Sequence, residues 1–255
     1  MEAESNLGEE KMLWIQCYCW FYRFLSEEQK KLFITLLDKF IKDTPFVGVG
    51  IQITNEMKIA IAGWAVFLVL NRPLGINWYR HVEAILIYPG KTLNPESTLA
   101  QITAASHYCL IHFAWEDIRD SATIAANKKN TILHEFAHSL DQFNRDMNGF
   151  PEALLSVNEQ EEWKNVFHPD FIFSKSDRLG KKLWEIFELG NWNEFTPDDT
   201  SCVDVSELFA VSTEMFFEHP QELHKRAPEI YDCLMKLYRY NPIIDFPKKE
   251  GKDLI

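Results

Sequence analysis

Cysteine is scarce. The chain has five in 255 residues, Cys17, Cys19, Cys109, Cys202 and Cys233, odd in number, scattered and without a CxxC pair. That excludes a disulfide framework, a zinc ribbon and a dithiol redox motif, and the thiols are expected to be reduced, as in a cytoplasmic protein. Cys17 and Cys19 read as buried packing rather than as metal ligands. A long apolar run is also missing. The aromatic-rich stretch over residues 12–25 is short for a bilayer span and carries Gln16 and Arg23. It is expected to form a helix packed on the domain, not a membrane-contacting face. The acidic N-terminus lacks the basic flank of a secretory signal, so export is not expected. Positive charge is in deficit: 26 Lys and Arg against 38 Asp and Glu give a net charge of −12. The lysine pairs at 30–31, 128–129, 181–182 and 248–249 are isolated, so no phosphate track exists and direct nucleic-acid binding is excluded. No internal repeat or low-complexity tract breaks the chain.

What is present is a folded α+β pattern. Ser26-Glu-Glu-Gln29 is a capping-box start for a helix with Leu32, Leu36, Leu37 and Phe40 on its apolar positions, ending near Asp43 because Thr44 precedes Pro45. Residues 47–53 suggest a short strand, 55–70 a buried helix, and 81–88 and 108–115 two further strands, together a small sheet in the N-terminal half. Beyond residue 129 the chain is chiefly helical, with residues 167–204 a lid or a long connection holding one short helical stretch near 181–189. The expected organisation is an apolar, aromatic segment over residues 1–24 and a single predominantly helical α+β domain over 25–255.

Chemistry concentrates in Thr131-Ile-Leu-His-Glu-Phe-Ala-His-Ser-Leu-Asp141, which holds an HExxH motif inside a helical pattern. Ile132, Phe136 and Leu140 recur every four residues and face inward, so His134 and His138 project together from another face, one turn apart. Two imidazoles at that spacing take two corners of a zinc tetrahedron without bending the backbone. Glu135, next to the first ligand, is placed to accept the proton of an activated water.

A catalytic zinc needs a third protein ligand and one open position. Two carboxylates compete for it. Asp141 lies three residues after His138 on the same face and serves either as ligand or as acceptor for a histidine N–H. Glu207 opens a second helical stretch, residues 205–218, on which Glu207, Ala210, Val211 and Glu214 share a face. The small residues there permit a close approach to the motif helix. Glu207 is the preferred ligand, although Asp204 three residues before it also makes a capping-box-like start. Spacing alone leaves the choice open.

The motif helix resembles that of the Mlc titration factor A family, glutamate-ligand zincins. Further matches follow in order at Leu25-Ser-Glu-Glu-Gln29, Ile85-Leu-Ile-Tyr-Pro-Gly90, Trp115-Glu-Asp-Ile-Arg-Asp120 and Glu207-Leu-Phe-Ala-Val-Ser-Thr-Glu-Met-Phe-Phe217, spanning roughly residues 25–242. The resemblance implies a zincin-like peptidase domain with zinc on His134, His138 and Glu207, and Glu135 as general base. It also implies aminopeptidase-like cleavage of short peptides and, in enteric relatives, binding to a glucose-responsive transcriptional repressor. Asp141 and Glu214 are candidates for supporting the ligands.

Two departures stand out. Relatives place an oxyanion-supporting tyrosine shortly before the ligand glutamate, but residues 198–204 contain no aromatic. Thr200 aligns with that tyrosine, and Tyr231, Arg226 and His168 are the other candidate donors. The segment between Tyr88 and Trp115 is shorter than in relatives that offer the zinc a further histidine from this region. His107 and His112 remain there and read as strand-side histidines without a metal role. The alternative to peptide hydrolysis is a regulatory protein that sequesters a repressor around a structural or vestigial zinc site. Metal-assisted hydrolysis of another substrate class is a third possibility.

Overall fold

Side-chain caps set where the helices begin. In the computed structural model, which describes residues 2–90, 109–123, 130–167 and 205–246, Ser26 Oγ accepts the Gln29 N–H at 3.2 Å and Gln29 Oε1 accepts the Ser26 N–H at 3.0 Å. This is the expected capping box. Helix α2 (Glu27–Asp43) runs from there to the Thr44-Pro45 stop. Its buried stripe is Phe33, Leu37 and Phe40, while Leu32 is exposed. The helical period is as expected, but the face is turned so that Phe33 replaces Leu32 in the core. The bulkier ring fills the space against the aromatic cluster.

The described residues fall into two compact units, Met1–Ala125 and Ala126–Ile255. In the first, α1 (Glu2–Tyr18) is followed by a 3-10 turn over Trp20–Phe24. The aromatic stretch is thus split at Cys19 rather than forming one helix. Helix α3 (Asn55–Val69) is hydrophobic on all sides, and α1 and α2 both pack on it. Phe21 stacks on Phe67 at 3.7 Å between ring centroids and meets Trp64 and Phe33 edge-on. A Cβ at Gly63 would stand 2.3 Å from the Cys19 sulfur, so Cys19 is a packing residue in the closest part of this core. Cys17 is exposed.

Strands β1 (Phe46–Gly48), β2 (Val82–Tyr88) and β3 (Cys109–Ala114) form a parallel sheet in the order β1-β2-β3. Phe46 pairs with Ile85, and Ile85 in turn with Ile111. The continuous burial of β2 from Ile85 to Tyr88 suits the central strand of a parallel sheet. The first strand is shorter than its sequence pattern suggests. The chain turns back after Gly48, where a Cβ would collide with the Ile51 carbonyl oxygen, and Gly50 takes a left-handed conformation at φ 73°. Helix α4 (Trp115–Thr123) follows β3 directly.

The second unit is helical: α5 (Thr131–Asp141), α6 (Val157–Val166), α7 (Val205–Glu218), α8 (Pro220–Arg226), α9 (Pro228–Tyr238) and α10 (Pro242–Asp245). The last three each open on a proline, where the missing N–H costs nothing. The molecule is thus a mostly helical α+β protein with a small sheet in its N-terminal half. Among the described residues no helix is long and apolar enough to cross a membrane.

Helix α7 is buried along most of its length and packs on α5. The loop between α5 and α6 wedges against its first residue. Gly149 there has φ 74°, and a Cβ on it would lie 2.4 Å from the Val205 carbonyl oxygen. The Gly149 N–H donates to Asp141 Oδ2 at 2.7 Å, and its carbonyl accepts from Trp163 Nε1 at 2.8 Å. One glycine therefore links the end of α5, the body of α6 and the start of α7. Gly149→Ala is expected to destabilise the protein by more than about 1 kcal/mol, since it combines a left-handed backbone with a steric collision. Denaturant unfolding checks this; a midpoint equal to wild type would show that the loop yields freely.

Candidate metal centre

Helix α5 starts at Asn130, whose side chain accepts the Leu133 N–H at 3.2 Å. Ile132, Phe136 and Leu140 are buried, as their four-residue spacing requires. His134 and His138 then point the same way, with Nε2 atoms 3.1 Å apart. Helix α7 brings Glu207 to them, Oε2 at 3.3 Å from His134 Nε2 and Oε1 at 3.1 Å from His138 Nε2. Among the described residues this is the cluster of His, Cys, Asp and Glu able to hold a metal ion, its ligand atoms all within 4.8 Å of one another.

The donor set suits a divalent cation. Ligand atoms about 2.0–2.1 Å from a tetrahedral zinc stand roughly 3.3 Å from each other, close to the separations seen here. Two imidazole nitrogens facing each other at 3.1 Å repel unless a proton or a cation lies between them. Three protein donors leave a fourth position for water or substrate. The side chain of Glu207 is 27% exposed, the most exposed of the three.

The other ring nitrogens are also held. His134 Nδ1 lies 2.9 Å from Glu214 Oε1, and the second oxygen of Glu214 accepts the Asn130 backbone N–H at 2.6 Å. Asn130 Nδ2 donates to Glu218 at 3.1 Å. Glu214 is thus a buried carboxylate bridging the first turn of α5 and the ring of His134. His138 Nδ1 lies 2.8 Å from Ser206 Oγ. With both Nδ1 atoms engaged, both Nε2 atoms are left for the metal.

Electrostatics follow from these contacts. Burial alone would lower the His134 imidazole, but the hydrogen bonds it donates to Glu207 and Glu214 outweigh this and raise its pKa to about 10. Hydrogen bonds to His134 and His138 hold the Glu207 carboxyl far below the usual carboxylate range. Burial raises the Glu135 carboxyl, with the two histidines pulling it partly back. Burial pushes Asp141 up to about 6, against the opposing N–H groups of Gly149 and Phe150.

The remaining candidates sit elsewhere or do other work. Asp141 does not join the cluster; its Oδ2 is taken by the Gly149 N–H. The Tyr231 hydroxyl donates to Asn241 Oδ1 at 2.8 Å, and Arg226 pairs with Glu222. His112 belongs to β3 in the first unit, its ring stacked on Tyr88 and its Nδ1 3.2 Å from the Tyr88 hydroxyl. Thr200, His168, His107 and Asp204 lie outside the described residues, as does the stretch over 181–189. Sequence reasoning missed Ser206, Asn130 and Gly149. The signal for Ser206 was its position directly before the preferred ligand, and for Asn130 its place as the cap four residues before His134.

Without metal, His134 carries a proton at neutral pH, and a cation taking its Nε2 must displace it. The zinc association constant is therefore expected to rise with pH, by about tenfold per unit for one displaced proton between about pH 6 and 9. Chelator competition at a series of pH values measures the slope. A constant independent of pH would show that the imidazole is unprotonated before metal arrives.

Comparison with known proteins gives the chain's family. An uncharacterized protein of Synechocystis is 29% identical over 238 residues, covering 88% of this chain and 82% of the relative. Mlc titration factor A of Pectobacterium atrosepticum is 27% identical over 232 residues, covering 86% and 82%. Mlc titration factor A of an Escherichia coli strain is 25% identical over 234 residues with the same coverage. Residues 2–239 match the family described as glucose-regulated metallo-peptidase M90, and with nearly the whole chain matched the protein belongs to that metallopeptidase family.

Proposed function

We propose that the protein is a zinc-dependent peptidase of aminopeptidase-like specificity, with His134, His138 and Glu207 holding the zinc and Glu135 acting as general base. The observation that carries the reading is the convergence of two Nε2 atoms and the Glu207 carboxylate on one point, with Glu135 beside the first of them in the chain. When bound, zinc supplies Lewis acidity, acidifying a water and polarising the scissile carbonyl. Glu135 takes the proton of the attacking water and hands it to the leaving amine. Its raised pKa suits that role, because a carboxylate closer to neutrality is the stronger base. Glu207 and the histidines keep their donor atoms aimed at one position, and Glu214 holds the His134 ring in place.

Glu135→Gln is expected to lower turnover by about 10²–10⁴-fold while zinc content stays at wild-type level. Glu207→Ala is expected to lose zinc and activity together. Elemental analysis beside hydrolysis of a panel of aminoacyl-chromophore substrates measures both. A fully active Glu135→Gln enzyme would sink the mechanism, and a zinc-replete Glu207→Ala protein would remove Glu207 from the ligand set.

A second reading has its own support. Two of the relatives carry the name Mlc titration factor A, and residues 198–204 lack the aromatic that the resemblance leads one to expect before Glu207. Under this reading the protein sequesters a transcriptional repressor, and zinc holds α5 and α7 together. Zinc-loaded protein that cleaves no member of the substrate panel yet forms a stable complex with a purified repressor of that class would favour it. Turnover abolished by a chelator and restored by zinc would favour the peptidase.

A further inference from the structure

We propose that Ser206 is a positioning residue for the metal centre, fixing the ring of His138 in the tautomer whose Nε2 faces the metal. The inference rests on reading His134, His138 and Glu207 as the ligands. The two histidines are secured by different chemistry. His134 Nδ1 meets the carboxylate of Glu214, which can only accept when ionised. His138 Nδ1 meets a hydroxyl at 2.8 Å, which can donate or accept. If Ser206 donated to Nδ1, the His138 proton would move to Nε2 and block the metal position. With Nε2 given to the metal, Nδ1 carries the ring proton and the serine oxygen accepts it.

Ser206 sits in the first turn of α7, beside the loop that the Gly149 N–H ties to Asp141 at 2.7 Å. A serine oxygen that accepts from His138 Nδ1 leaves Nε2 bare for the metal. Ser206 is fully buried, so bulk water does not compete for this bond. Ser206 is adjacent in the chain to Glu207. The first turn of α7 therefore delivers a ligand carboxylate and, one residue earlier, the group that orients another ligand. Asp141, weighed from sequence as a ligand or a histidine acceptor, is held instead by the Gly149 N–H.

Ser206→Ala is expected to weaken zinc binding by about 10–100-fold, the range for loss of a group that orients a metal-bound histidine. Ser206→Thr keeps the hydroxyl and is expected to bind zinc within about threefold of wild type. Chelator competition measures both constants, with thermal unfolding of the metal-free proteins run alongside. The direct readout is nitrogen-15 NMR of the histidine rings in zinc-loaded wild-type protein, where His138 is expected to show a protonated, hydrogen-bonded Nδ1. A bare Nδ1 on His138 would overturn the inference, even if the alanine variant fails to fold. Wild-type zinc affinity in Ser206→Ala would overturn it as well. His138→Ala separates this from the underlying reading: lost zinc upholds the ligand set, and retained zinc would overturn the metal centre itself.

Discussion

Two imidazole nitrogens held 3.1 Å apart inside a protein need positive charge between them, and much of the second unit follows from that requirement. Lone pairs at this distance repel, and burial removes the water that would screen them. Three glutamates answer it from α7. Glu207 closes the cluster, Glu214 braces the far side of His134, and Glu218 reaches Asn130 at the start of α5. Without metal the same acids keep a proton on His134. Under the proposed zinc centre they would be its ligand and its ligand's support. The pairing of α5 with α7 is therefore both a packing contact and an electrostatic one.

Packing makes that pairing rigid enough for chemistry. Helix α7 turns Phe209, Phe216 and Phe217 into the core, where Trp163 and Tyr238 meet them. Thr213 and Tyr238 share a buried hydrogen bond of 2.8 Å. The apolar contacts resist sliding of α7 along its axis, and a slide would separate Glu207 from both histidines at once. Gly149 adds a second constraint at the end where Glu207 sits, because the loop backbone reaches Val205 without room for a side chain. Catalytic groups held by locked neighbours keep their geometry, and a centre of three ligands from two helices depends on that.

Membership of the metallopeptidase family and the donor geometry are independent lines that both point to metal binding. The family match covers most of the chain, and the cluster is defined by distances alone. Neither specifies a substrate. HExxH chemistry fixes how a water is activated, while substrate choice lies in the residues around the cleft.

The sequence by itself determined the local features. The capping box at Ser26, the stop at Thr44-Pro45, the buried helix over 55–69 and the pairing of His134 with His138 all depend on residues within a turn or two of each other. Helical and strand periods report those directly. The burial of Phe33 rather than Leu32 on α2 was decided by which side chain fills the aromatic core. Short β1 was decided by the backbone contact between Gly48 and Ile51. Spacing left Asp141 and Glu207 open and the family resemblance favoured Glu207; the tertiary structure sets Glu207 beside the imidazoles. On the helical wheel Asp141 was the nearer of the two, yet its carboxylate is held by Gly149. Glu207, 69 residues beyond His138, is carried to both rings by the packing of α7. The same packing placed Ser206 and Glu214 on opposite rings of the pair. Contacts between residues this far apart in the chain leave no period in the sequence, because they are set by which helix faces fit together and not by what either helix would do alone.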